Sequence, residues 1–175
     1  FGDSLMAGYG LPDEQHLSVV LQQSLEFDGH NIEIINGSVS GSTSAGGLNI
    51  AEWTLSENNI DLMILCLGAN DMLRGINPKE TKNNLEEIIE IAKNKNIKVI
   101  IAGMIAPTSY GYAYKKSFDK IFSDLSKKHK LQLIPFLLEG VAQKPEFNLS
   151  DGMHPNDRGT IIIGNTLKKA ILENL

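Results

Sequence analysis

Three short segments rich in apolar residues constrain the fold of this chain more than anything else in it. Residues 61–67, 97–102 and 131–136 carry largely continuous apolar runs rather than alternating ones. A strand reads this way when both faces of its sheet are covered, the usual state of a parallel strand. Around and between these runs the apolar residues recur at helical spacing, over residues 13–27 (Leu17, Val20, Leu21, Leu25), 78–94, 112–128 and 156–172. Asn77 is a cap ahead of Pro78, which suits a first helical position. Residues 31–36, with Ile32, Ile34 and Ile35, read as one more strand. Residues 38–47 are a Ser/Gly-rich loop running into a helix that reaches about Leu55. Strands alternating with helices at this spacing predict an α/β fold of three layers, a mostly parallel sheet with helices on both sides.

The 175 residues are most simply one domain, residues 1–175. A net charge of −5 argues against nucleic acid as a partner, because that affinity rests on Lys and Arg neutralising phosphates. No apolar stretch approaches the roughly 18 residues of a membrane span. The one cysteine, Cys66, lies inside the run 62–67 and is expected to be a buried, inert thiol. His16, His30 and His129 have no Asp, Glu or Cys at ligand spacing, so metal binding by any of them is not expected. The sequence is silent on oligomeric state, with a monomer the simplest assembly. The chain starts at Phe1, and a strand leading into Gly2, with any targeting segment, is expected ahead of it.

The polar chemistry lies in the loops after the strands. Ser4 sits in Gly2-Asp3-Ser4-Leu5, Gly41 in Ser40-Gly41-Ser42-Thr43, Asn70 in Gly68-Ala69-Asn70-Asp71, and Ala106, Pro107 and Tyr110 follow the run 97–102. In open α/β sheets the ligand crevice lies outside the carboxyl ends of the strands, so these loops are expected at one edge. A serine hydroxyl needs an adjacent base to become a nucleophile. His154, in Asp151-Gly152-Met153-His154-Pro155, is the candidate base, and Asp151 three residues earlier, one helical turn away, is the candidate to orient it. Acyl transfer also needs donors for the developing oxyanion, and the N–H groups of Ser4 and Gly41 and the side-chain amide of Asn70 are the candidates. Asp3 either bounds the crevice or caps the turn. Ser4 is not in a Gly-x-Ser-x-Gly elbow, since Met6 holds the last position, which argues against the α/β-hydrolase fold.

These four motifs, in this order, resemble the blocks of the SGNH (GDSL-type) hydrolases, and the resemblance runs from Phe1 to the closing helix. Leu73-Arg74-Gly75, the segment 106–111 and Ile134-Pro135-Phe136 are similar to the branch of bacterial arylesterases and multifunctional thioesterase–lysophospholipases. The resemblance implies a flavodoxin-like sheet, no cofactor, and a serine hydrolase acting on a small acyl ester or thioester. It implies Ser4, Asp151 and His154 as catalytic residues and Ser4, Gly41 and Asn70 as the oxyanion hole. It places Asp3, Leu5, Ala106, Pro107 and Tyr110 against the substrate and makes residues 71–77 a mobile loop over it. A periplasmic or secreted location is compatible with the family. Deacetylation of carbohydrates or other small molecules, with the same residues, is the alternative activity.

Overall fold

A computed structural model describes residues 1–56 and 59–175. Its sheet has three parallel strands in the order β1 (Leu62–Leu65), β2 (Lys98–Ala102) and β3 (Gln132–Ile134). The helices are α1 (Ser4–Ala7), α2 (Leu17–Phe27), α3 (Ser44–Thr54), α4 (Ala69–Leu73), α5 (Pro78–Asn94), α6 (Tyr112–His129) and α7 (Asp157–Leu172). Val99, Ile100, Ile101 and Ala102 are all buried in succession, which requires both faces of β2 to be covered. One helix set, α3, α5 and α6, packs pairwise and reaches β2 and β3 through α5 and α6. The other pairs α2 with α7. The arrangement is the expected three-layer α/β/α fold.

The chain begins beside β1. Phe1 N donates to Ile64 O at 2.9 Å, Cys66 N donates to Phe1 O at 2.9 Å, and Gly2 bridges Cys66 in parallel. On its other side Gly2 O accepts from Val39 N at 3.0 Å. Phe1 and Gly2 therefore lie between the 39 segment and β1, while later strands add outward from β1. Sequence order reverses its direction across the sheet at this point, which is the switch point where open α/β sheets bind ligands.

Residues 31–36 do not form the expected strand. A strand needs a neighbouring backbone to ladder with, and among the described residues none ladders with 31–36. Gln22 substitutes for it, donating to Ile32 O at 2.6 Å and accepting from Ile34 N at 2.7 Å. The helix expected over 13–27 is divided as well. Asp13–Gln15 is one 3₁₀ turn, and His16, with ψ 143°, is extended and starts α2 afresh. Thr43, Asn77 and Asn156 cap α3, α5 and α7 by accepting from Gly46, Lys79 and Gly159 N–H. Cys66 is fully buried, as its apolar run suggested.

Candidate active site

Ser4 opens α1 directly after Gly2. Asp3 is the cap, its Oδ1 accepting from Leu5 N at 3.1 Å, and Gly8 ends the turn in the left-handed region with φ 86°. A Cβ at Gly2 would lie 2.6 Å from Cys66 O, so only glycine lets the chain pass this close to β1 before Ser4.

Asp151 and His154 arrive from the far end of the chain on a short closed loop, not on the helical turn expected of their spacing. Asn148 and Pro155 form an antiparallel bridge at its base. Leu149 N donates to His154 O at 2.8 Å and Asn156 N to Phe147 O at 3.0 Å. Asn148, buried, donates its amide to Val141 O and Lys144 O, each at 2.8 Å. Within the loop Asp151 folds back on its own backbone, Oδ1 accepting from Met153 N at 2.9 Å and His154 N at 3.0 Å. Its Oδ2 lies 2.7 Å from His154 Nδ1, and His154 Nε2 lies 2.9 Å from Ser4 Oγ. The Tyr9 ring covers the imidazole at 4.4 Å between centroids. Partial burial pushes the Asp151 carboxyl up, but donation from the His154 and Met153 N–H groups and from the imidazole outweighs it, holding the pKa at about 2.

The other two loops meet Ser4 from both sides of the switch point. Gly41 has φ 79° in a turn closed by Ser42 N to Val39 O at 3.0 Å. The N–H groups of Ser4 and Gly41 donate to no backbone acceptor among the described residues. Asn70 follows Gly68, whose φ of 117° turns the chain from β1 into α4, and its Nδ2 lies 3.3 Å from Asp3 Oδ2. Beside Asn70, Asp71 is fully buried; its carboxylate accepts from Ser44 N at 2.7 Å, Thr81 Oγ1 at 3.1 Å and Ser44 Oγ. Arg74, one turn further, donates to Gly41 O at 3.0 Å.

Not every residue expected against substrate faces the crevice. Asp3 is 1% exposed and takes the cap role of its two possible ones. Burial pushes its carboxyl up to about 6, against the Leu5 N–H, the Asn70 amide and His154, which pull it down. Leu5 is a core residue, because the turn that presents Ser4 outward points its neighbour inward. Ala106 is buried, its N–H held by Asp119 at 2.9 Å and its carbonyl by Lys115 at 2.7 Å, while Pro107 is exposed and Tyr110 half-buried. Residues 71–77 are partly helical, as the end of α4, and Tyr114 OH holds Ile76 O at 3.0 Å. Sequence reasoning gave Tyr9 no role and placed Asp71 and Arg74 only within the loop 71–77, with no contact of their own. The one signal for Asp71 was its place directly after Asn70.

His129 has carboxylate partners that spacing along the chain could not show. Its Nε2 lies 2.5 Å from Glu86 Oε1, with Glu90 nearby. Lys128 Nζ takes the same Glu86 oxygen at 2.6 Å, and Lys128, then His129, hold that carboxyl below the usual range. A resident ammonium makes this an ion-pair group.

The family model described as GDSL-like Lipase/Acylhydrolase matches residues 1–160. The chain is 36% identical to an arylesterase of Vibrio mimicus over 174 residues, 99% of this chain and 87% of that protein. It is 31% identical to thioesterase 1/protease 1/lysophospholipase L1 of Escherichia coli K12 over 170 residues, 97% of this chain and 80% of that protein. The crystal structure of TesA superposes with a TM-score of 0.93 at 32% identity, covering 99% of this chain and 97% of that one. The chain belongs to the GDSL-like lipase/acylhydrolase family.

Proposed function

We propose that this chain hydrolyses carboxylic esters or thioesters through an acyl-enzyme on Ser4. The observation that carries this is the unbroken relay from Ser4 Oγ through His154 to Asp151, with links of 2.9 and 2.7 Å. The Ser4 hydroxyl donates to Nε2 and attacks the substrate carbonyl as the imidazole takes its proton. Asp151, ionised at any working pH, keeps the proton of the neutral imidazole on Nδ1 and stabilises the imidazolium. The Ser4 and Gly41 N–H groups and the Asn70 amide stabilise the oxyanion. The imidazolium then protonates the leaving alcohol or thiol. Water, deprotonated by the same His154, attacks the acyl-enzyme and releases the acid. All of these residues come from one chain, so the chemistry needs no second copy.

The surroundings favour an acyl chain over a sugar. Tyr9, Val39, Leu73, Ile105 and Met153 are exposed apolar side chains, each on a loop or short helix that also carries a site residue or a residue flanking it. The sole Trp, Trp53, is exposed near the end of α3, nine residues and roughly 14 Å of helical rise from Ser44. The relatives named arylesterase and thioesterase 1/protease 1/lysophospholipase L1 support the same reading. Among the described residues no helix is long and apolar enough to cross a membrane. The test is turnover of p-nitrophenyl esters from acetyl to long-chain acyl, with acyl thioesters and acetylated sugars alongside. Turnover of acyl esters, abolished in Ser4→Ala, is expected. Activity confined to acetylated sugars, or retained in Ser4→Ala, would contradict it.

A further inference from the structure

Asp71 is fully buried, and its carboxylate joins α4 to both α3 and α5. Oδ2 accepts from the N–H of Ser44, the first residue of α3, at 2.7 Å. Oδ1 accepts from Ser44 Oγ and from Thr81 Oγ1 on α5 at 3.1 Å. Asn84, also on α5, donates to Ser44 Oγ at 3.0 Å. No buried side-chain nitrogen or oxygen among the described residues lacks a partner, so this network is complete. Its position in the chain gives it a consequence at the site. Ser44 is three residues after Gly41, and Asp71 is the residue after Asn70. The carboxylate therefore clamps together the two segments that supply the donors flanking Ser4. Arg74 adds a second, exposed clamp between the same segments, from α4's end to Gly41 O at 3.0 Å.

We propose that Asp71 is a positioning residue for acyl transfer: it holds the Gly41 loop against α4 and so sets the separation of the Gly41 N–H and the Asn70 amide. The proposal rests on reading those two groups as oxyanion donors. An oxyanion hole works by preorganisation, with donors near 2.7–3.1 Å from where the charge develops. A displacement of about 1 Å from such geometry costs on the order of 100-fold in rate. Asp71 touches neither Ser4 nor His154, so its loss impairs the hole and leaves the proton relay in place.

The test compares wild type, Ser4→Ala, Asp71→Ala and Asp71→Asn on p-nitrophenyl acetate and on its thionoester, in which sulfur replaces the carbonyl oxygen. A tight hole discriminates strongly against the larger, weakly accepting sulfur, and a loosened hole does so less. Asp71→Ala is expected to lower kcat by roughly 10- to 100-fold with KM little changed. The ester-to-thionoester rate ratio falls with it, and the pH dependence of kcat/KM keeps its wild-type shape. Asp71→Asn, which still offers one acceptor to Ser44 N, recovers part of both quantities. If Asp71→Ala does not fold, Asp71→Asn and Ser44→Ala carry the comparison, with an intermediate kcat and a lowered ratio expected. A ratio equal to wild type in the folded variants, with Ser4→Ala inactive, overturns the role of Asp71 alone. Activity surviving in Ser4→Ala overturns the active site itself, so the two failures are distinguishable.

Discussion

Asp151 has two oxygens with two separate duties. Oδ1 is committed to the backbone of its own loop, while Oδ2 faces His154 Nδ1. In Asp151→Asn the carbonyl oxygen can keep the first duty, but an NH₂ then faces Nδ1. That drives the imidazole proton onto Nε2 and removes the acceptor that Ser4 needs. A loss of roughly 10³- to 10⁴-fold in kcat is expected with the fold retained. A loss under about 10-fold, measured by steady-state ester hydrolysis, would remove Asp151 from the relay. Asp3 predicts a stability effect of opposite kind. Its carboxyl is raised from an ordinary 3.8 to about 6 by burial, so the stability of the neutral form is present below 3.8 and lost as pH rises through 6. At about 1.4 kcal/mol per unit, wild type should lose on the order of 3 kcal/mol relative to Asp3→Asn between about pH 4 and pH 7. Urea unfolding of both proteins at the two pH values measures this, and parallel pH dependences would contradict it.

At the scale of elements, the site depends on how closely loops approach helix ends. Gly159, in the first turn of α7, packs against the base of the Asp151–His154 loop; a Cβ there would lie 2.2 Å from Phe147 O and 3.0 Å from Pro155 Cβ. Phe147 O is the acceptor for Asn156 N that closes the loop. Gly159→Ala should therefore cost about 1–3 kcal/mol through forced displacement of backbone, seen as a lowered Tm. An unchanged Tm would mean that α7 does not fix this loop. What the sequence allowed one to read here, and what it did not, divides on physical lines. The run 97–102 is legible because burial on both faces leaves a continuous apolar signature, and 61–67 because its second face, Leu62 and Ile64, is still partly covered; both hold strands close to the expected bounds. Residues 31–36 carry a strand's side chains, but laddering is a property of two backbones, and a single segment cannot report its neighbour. The break at His16 escapes periodicity because one extended residue leaves the apolar spacing of α2 intact.

Across the whole molecule, the fold brings residues 4, 41, 70 and 154 to one switch point in the sheet, from loops otherwise far apart in the chain. Each was legible as a candidate because it stands in a short motif, and the order of the motifs carried the resemblance to the family that the comparisons establish. The supporting contacts were not legible. The link from Asp71 to Ser44 spans 27 residues, that from Asn70 to Asp3 spans 67, and Tyr9 meets His154 across almost the entire chain. None of these pairs has a local pattern to announce it. Even the neighbour of Ser4 was misplaced, because whether Asp3 points outward or inward depends on which N–H its carboxylate caps. If the assembled geometry makes Ser4 a nucleophile, intact-mass spectrometry after treatment with a fluorophosphonate will show it. One phosphonyl adduct on the wild-type chain, absent from Ser4→Ala and strongly slowed in His154→Ala, is the predicted result. An unmodified wild type, or equal labelling of Ser4→Ala, would contradict it.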